Sequence, residues 1–281
     1  MEEAVSNSLP LNIVTLFIPV LFFFLGLNSN LDEVKKLFIN KTPLAYGVAI
    51  QILALPLIGF ATYALFRNTI FSLAAVIVLI VPGGHISGLL THIKKGNVPL
   101  SVLLTSTTSI LSPVTIVFWL TVISSQANNY RVDITNSFIQ LVIFVLSPFV
   151  LGIIFKNKFK KLTNIIFKPL DIFLKILIVL VSIWTPVDLR IYILEYLQEG
   201  LVVACFSIIM VFFVSRIIIN KSKVDLINAK TLQIEALCQN FPIVLGISLA
   251  IEIPEVAIYG IIYYLVSTIF ALIYALSLIH I

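Results

Sequence analysis

The chain has 281 residues, 60% hydrophobic and only 11% charged, with a mean hydropathy of +1.12. A soluble domain is roughly half apolar and about a quarter charged, so that class is excluded; the alternating polar-inside pattern of an outer-membrane barrel is absent too. The net charge of +5 is gathered in short turns between apolar runs, where it sets topology rather than binding nucleic acid.

Met1–Pro10 carries Glu2 and Glu3 and no basic residue, the wrong charge for the start of a cleaved leader, so no signal peptide is expected. Nine apolar spans then follow, at roughly 10–28, 42–66, 70–94, 98–125, 135–156, 167–186, 191–216, 225–250 and 255–280. Each is near the ~20 residues that a bilayer requires. The expected class is therefore an all-α polytopic membrane protein with nine transmembrane helices.

Basic residues fix the orientation. Lys35, Lys36 and Lys41 follow span 1, and Lys94 and Lys95 follow span 3. Five lysines, Lys156 to Lys168, follow span 5. Arg216, Lys221, Lys223 and Lys230 follow span 7. These turns hold 14 of the 18 Lys and Arg, against Arg67, Arg131 and Arg190 on the other side. The N-terminus is expected outside and the C-terminus in the cytoplasm, in the plasma (inner) membrane. Cys205 and Cys238 lie in apolar segments, so neither a disulfide framework nor a CxxC metal pattern is expected.

Two spans are interrupted. Span 3 contains Pro82, Gly83 and Gly84, then His85, Ser87 and Gly88. Proline inside a helix costs about 3 kcal/mol and each glycine about 1. Such backbone survives at membrane depth only where protein or a water-filled cavity satisfies it. Span 8 reads TLQIEALCQNFPIVLGISLA and carries Glu235, Gln239, Asn240 and then Pro242. Pro242 pushes Phe241 away from the helical region, which predicts a second break. Span 3 runs inward and span 8 outward. With spans 5–9 as one five-helix repeat and spans 1–4 as the same repeat lacking its first helix, both are fourth members. Interrupted segments at matching positions of an inverted (4+5) repeat predict a transporter site at the midplane.

A carboxylate at the bilayer centre is costly and functional by default. Glu235 has no Lys or Arg in its own span, so a bound cation is one way to neutralise it; a protonated structural Glu and a packing hydrogen bond are the others. Gln239 is four residues on and shares its helical face. Ser101, Thr105, Thr108 or Ser109, and Ser112 recur at i, i+4 along span 4. Hydroxyls in that pattern glue helices together or, beside a carboxylate and a broken helix, supply ligands. Carboxylate, amide, hydroxyl and carbonyl oxygens suit sodium rather than a transition metal. Gln51 is an isolated amide in an apolar run and reads equally as packing or as ligand. His85 has three readings: a proton site, a hydrogen-bond donor to substrate, or a cavity-facing residue with a backbone partner. No HExxH motif and no pair of intramembrane aspartates occurs, so the chain is not expected to be an enzyme.

The motifs together resemble the bile acid:sodium symporter family. The likeness runs along nearly the whole chain and is densest in FFFLGLNSNLDEVKK, IQILALPLIGF, VPGGHISGLLTHIKKGNVPLSVLLTSTTSILSP and IEALCQN. It implies a nine-helix form in which two broken helices cross. It also implies a panel domain (about 10–28 and 135–186) and a core domain (about 42–125 and 191–280). The function implied is sodium-coupled symport of an organic anion, a steroid conjugate or a small carboxylate, by alternating access, with no cofactor besides one or two coupling ions.

The resemblance further implies a first sodium site at Ser87, Ser101, Thr105 and Glu235. The second would use Gln51, Glu235 and Gln239 with the carbonyls of Ala236 and Cys238. Asn240 would face substrate, with His85, Gly88 and Thr108 nearby. One departure stands out: the family's usual Pro-Gly-Gly-Thr-Ala-Ser-Asn is here Pro-Gly-Gly-His-Ile-Ser-Gly, so Gly88 removes an expected side-chain ligand and His85 stands where threonine does. The alternatives are proton coupling through His85 and a non-transporting sensor of the same fold.

Overall fold

A computed structural model describes residues 8–28, 43–84, 86–124, 139, 142–251 and 253–277. Among them the secondary structure is helical, apart from one isolated bridge. His85 lies outside the described residues. Four described helices are long and apolar enough to cross a membrane: Pro43–Leu65, Val98–Val122, Leu197–Ser222 and Glu255–Leu276. The chain is an all-α integral membrane protein. Its contacts divide it into two compact units.

The first unit gathers the described parts of Met1–Ser29, Pro113–Glu195 and Pro242–Ile258. It holds α1 (Leu9–Asn28), a π-helical turn at Val142–Leu146 leading into α6 (Ser147–Lys158), α7 (Lys160–Asp188) and the short α8 (Arg190–Glu195). Helices in lipid gain little from mutual burial and need close backbone approach instead. Gly26 of α1 and Gly152 of α6 supply it. A Cβ on Gly26 would strike the Phe149 carbonyl, and one on Gly152 would lie 2.9 Å from the Gly26 Cα. Aromatic pairs flank the contact, with Phe23–Phe155 and Phe24–Phe167 centroids 5.6 and 5.1 Å apart. Ile165, Ile172, Ile176, Leu180 and Ile183 of α7 are exposed, an outward apolar surface suited to lipid.

The turn predicted at 156–168 is not a loop. α6 runs to Lys158, and α7 resumes at Lys160. Lysine is a good helix former, and its long stem lets the ammonium reach water while the backbone stays helical.

The second unit gathers the described parts of Asn30–Ser112, Tyr196–Phe241 and Tyr259–Ile281. It holds α2 (Pro43–Leu65, with a π-helical turn at Ile50–Ala54), α3 (Ser72–Ile80) and α4 (Ile86–Ile93). To these it adds α5 (Val98–Ser124) as far as Ser112, α9 (Leu197–Ser222) and α10 (Leu226–Leu237). α11 (Phe241–Ala250) starts here, and α12 (Pro254–Leu276) belongs to it from Tyr259. Residues 113–124, 191–195 and the described part of 242–258, which the resemblance places in the core, cluster with the first unit.

Every residue of α3 is buried, which is why its sequence, SLAAVIVLI, is apolar all round rather than striped. Gly59 lets α2 approach it; a Cβ there would stand 2.9 Å from the Val76 Cα. Asp225 caps α10, accepting from the N–H groups of Ile227 and Asn228 at 3.0 Å each, a contribution of about 1 kcal/mol. Asn97 ties α5 to α10: its backbone N–H donates to Thr231 Oγ1 at 2.7 Å, and its amide donates to Asn228 Oδ1 at 2.8 Å. Lys94, expected only as a topological charge, is buried. Its ammonium donates to the carbonyls of Tyr274 and Ser277 at 2.7 Å each. That ammonium meets the last carbonyls of α12, where a cation is favoured by the helix dipole.

Candidate functional site

Both interruptions are present and they repair each other, but the second lies at residues 238–240. Phe241, expected outside the helical region, opens α11, with Pro242 in its first turn where a missing N–H costs nothing. α3 ends at Val81, which is extended (φ −77°, ψ 155°), and α10 ends at Cys238, also extended (φ −107°, ψ 102°). The freed strands pair antiparallel through Gly83 and Gln239. Gly84 N–H donates to Cys238 O at 2.8 Å, and Asn240 N–H donates to Pro82 O at 3.0 Å. Backbone groups that would be orphaned in a dry interior are thereby satisfied.

The glycines are required by space. A Cβ on Gly84 would collide with the backbone carbonyl of Gln239, and one on Gly83 would lie 2.8 Å from Glu235 Oε2. Proline is tolerated beside them because the bridge uses its carbonyl and asks for no N–H.

The crossing carries a carboxylate. Glu235 is 2% exposed, on the last turn of α10. Ser101 Oγ donates to its Oε1 and Thr105 Oγ1 to its Oε2, the latter at 3.2 Å. Ser101 and Thr105 stand one turn apart on α5, so both hydroxyls face the same way. Ser87 Oγ, from the first turn of α4, lies 3.4 Å from Ser101 Oγ. Among the described residues no basic side chain forms an ion pair with Glu235. The charge is met by hydroxyls alone.

Beside it stand two amides. Gln51 lies in the π-helical turn of α2, a distortion that re-aims a side chain out of α-helical register. Its Nε2 donates to the Glu235 carbonyl at 2.7 Å. Gln239 Nε2 donates to the Ala236 carbonyl at 2.9 Å. Both amides are 4% exposed, and both Oε1 atoms are buried without a hydrogen-bond partner. An acceptor left so costs about 1–3 kcal/mol. Anchoring the nitrogen end of each amide leaves the oxygen end free, and amide oxygens are ligands for a hard cation.

Of the residues expected at the ion sites, Gln51, Ser87, Ser101, Thr105, Glu235 and Gln239 fall in one neighbourhood of the second unit. The Ala236 and Cys238 carbonyls are each already engaged, by Gln239 Nε2 and Gly84 N–H, although a carbonyl has a second lone pair. Thr108 turns its hydroxyl back onto its own helix, donating to Leu104 O at 2.9 Å. Asn240 is 5% exposed and sits at the bridge. Gly88 opens onto space: a Cβ there would meet only Ser101 Oγ, at 3.9 Å. Sequence reasoning missed Tyr263, a buried phenol on α12 that faces the Gln239 amide; within YGIIYYLVSTIF it reads like any core aromatic. Among the described residues no cluster of three or more His, Cys, Asp or Glu forms a transition-metal ligand set.

An all-helical integral membrane protein, with a carboxylate and free amide oxygens buried where two interrupted helices meet, has the arrangement that membrane transport sites take. The chain belongs to the sodium bile acid symporter family, whose model matches residues 15–203. It is 28% identical over 149 residues to an uncharacterized sodium-dependent transporter, YocS, of Bacillus subtilis, covering 53% of this chain and 46% of that protein. It is 27% identical over 232 residues to a probable chloroplastic sodium/metabolite cotransporter, BASS1, of rice, covering 80% of this chain and 55% of that protein. The chain spans about half the length of these curated relatives.

Proposed function

We propose that this protein is a sodium-coupled symporter of an organic anion, working by alternating access. The observation that carries the reading is the buried Glu235 carboxylate, met by hydroxyls and flanked by two amide oxygens without partners. A sodium ion supplies the charge that Glu235 lacks and the partner that Gln51 and Gln239 lack. The relatives' printed descriptions, sodium-dependent and sodium/metabolite, support the same ion. Ser87, Ser101, Thr105 and Glu235 would hold one ion. Gln51, Glu235 and Gln239, with the carbonyls of Ala236 and Cys238, would hold the other. His85, Gly88, Thr108 and Asn240 would border the substrate.

The reading includes nine spans in an inverted 4+5 repeat, the N-terminus outside, and a core moving against a panel. Sodium binding neutralises Glu235 and fixes the paired breaks, after which helix N-termini nearby favour an anionic group. Each ion moving inward through 100 mV releases about 2.3 kcal/mol, roughly a fifty-fold gradient. With Gly88 in place of an asparagine, the first site is one ligand short, which favours coupling to a single ion. Uptake of organic anions into proteoliposomes, with an inward sodium gradient or with potassium, tests this. Uptake should need sodium and vanish in Glu235→Ala; equal uptake in both salts at every pH would sink it.

A further inference from the structure

Tyr259 and Tyr263 stand one turn apart on α12, with ring centroids 6.0 Å apart, and are 0% and 1% exposed. They differ at the hydroxyl. That of Tyr259 shares a hydrogen bond with Ser207 Oγ at 3.3 Å. That of Tyr263 is buried with no partner inside strict hydrogen-bond geometry, and the polar group it interacts with is the Gln239 side chain. Phenylalanine would fill the same space without burying a polar atom, so the hydroxyl calls for an explanation other than packing.

Gln239 is incomplete in a complementary way. Its backbone is pinned by the bridge to Gly83, and its Nε2 gives one hydrogen to Ala236 O. The nitrogen carries a second hydrogen, and Oε1 has no partner. The terminal torsion of a glutamine is broad, so an amide held by one N–H still swings. An amide held by both presents its oxygen in one direction.

We infer that Tyr263 is a positioning residue for the ion site. Its phenol oxygen accepts the second Gln239 N–H and turns Gln239 Oε1 toward the cation. The phenol does not touch the ion; it removes the swing of the group that does. The inference rests on the sodium reading above and adds to it a residue from a helix otherwise outside the ligand set.

The test uses the purified full chain, its melting temperature followed as sodium chloride replaces potassium chloride at constant ionic strength. Stabilisation grows as RT ln(1 + c/Kd), with c the sodium concentration, so the concentration at which the melting temperature starts to climb reports sodium affinity. Tyr263→Phe should melt in potassium at or above the wild type, because an unpaired hydroxyl is gone. It should need about five- to tenfold more sodium to reach the same rise in melting temperature, the worth of one hydrogen bond. The double variant with Gln239→Ala should match Gln239→Ala alone. An unchanged dependence of the melting temperature on sodium concentration overturns the inference while leaving the ion site standing. So does equal destabilisation in both salts, or failure to fold, since either makes the hydroxyl structural. If the wild type itself shows no sodium-specific stabilisation, the ion reading fails and this inference with it.

Discussion

The two sides of the crossing are built differently. On one side Ser101 and Thr105 spend their hydroxyl protons on Glu235. That cluster is closed: donors and acceptor match within the protein. On the other side Gln51 and Gln239 spend their N–H groups on α10 carbonyls and keep their oxygens unpaired. That cluster is open, with two buried acceptors unmatched within the protein, as the sodium reading proposed above requires. Under the proposed sodium reading, the contrast makes the amide half the one poised to bind. It agrees with the sequence departure at Gly88, which weakens the hydroxyl side and leaves the amide side intact.

Each half can be broken separately. The largest effect is expected at Glu235, which both halves share. Glu235→Gln keeps the volume and removes the charge, so sodium-driven uptake should fall to background in proteoliposomes. Wild-type uptake in that variant would mean the carboxylate is structural. Next comes Gly84→Ala, which drives a methyl into the Gln239 carbonyl. Overpacking of that kind costs about 1–3 kcal/mol, read as a lower melting temperature in potassium and sodium alike. Gly88→Ala is its control, because the space there is open, and it should melt like the wild type.

Gln51→Ala opens only the amide side. It removes one ligand and, with it, the Nε2 bond to the Glu235 carbonyl, so the protein should melt lower in potassium. Beyond that, sodium affinity should weaken by about tenfold, the loss of about one good polar contact. A fall in stability equal in both salts would assign Gln51 to packing. The smallest effect is expected from Gly88→Asn. A carboxamide placed beside Ser101 gives the hydroxyl side an acceptor that Glu235 does not already occupy. Uptake should then depend more steeply on sodium concentration; an unchanged steepness would mean that the hydroxyl side binds no ion even when completed.

Much of this was legible in the sequence, for identifiable reasons. Helix-hostile residues inside lipid-like runs must be satisfied by protein, so Pro82-Gly83-Gly84 and the Gln239–Pro242 stretch announced both breaks. A carboxylate in an apolar span is conspicuous, and hydroxyls at i, i+4 share a face, so Glu235, Ser101 and Thr105 were found together. That the two breaks pair with each other is invisible to a linear reading, because it joins positions more than 150 apart. So is the π-helical turn that aims Gln51, since nothing in IQILALPLIGF marks a change of helical register. The helix through the lysines at 160 and 161 was missed because charge marks a membrane boundary, not the end of a helix. Lys94 and Tyr263 were missed because each belongs to a residue type with an ordinary role at its place in the pattern.

Sodium binding to the purified protein, measured as saturable retention of radioactive sodium for the wild type and Glu235→Ala side by side, tests the ion site most directly. The wild type should bind sodium saturably, displaced by unlabelled sodium and not by potassium, and Glu235→Ala should retain none above background. Equal, saturable binding by both proteins would contradict the assignment of the site to the Gly83–Gln239 crossing.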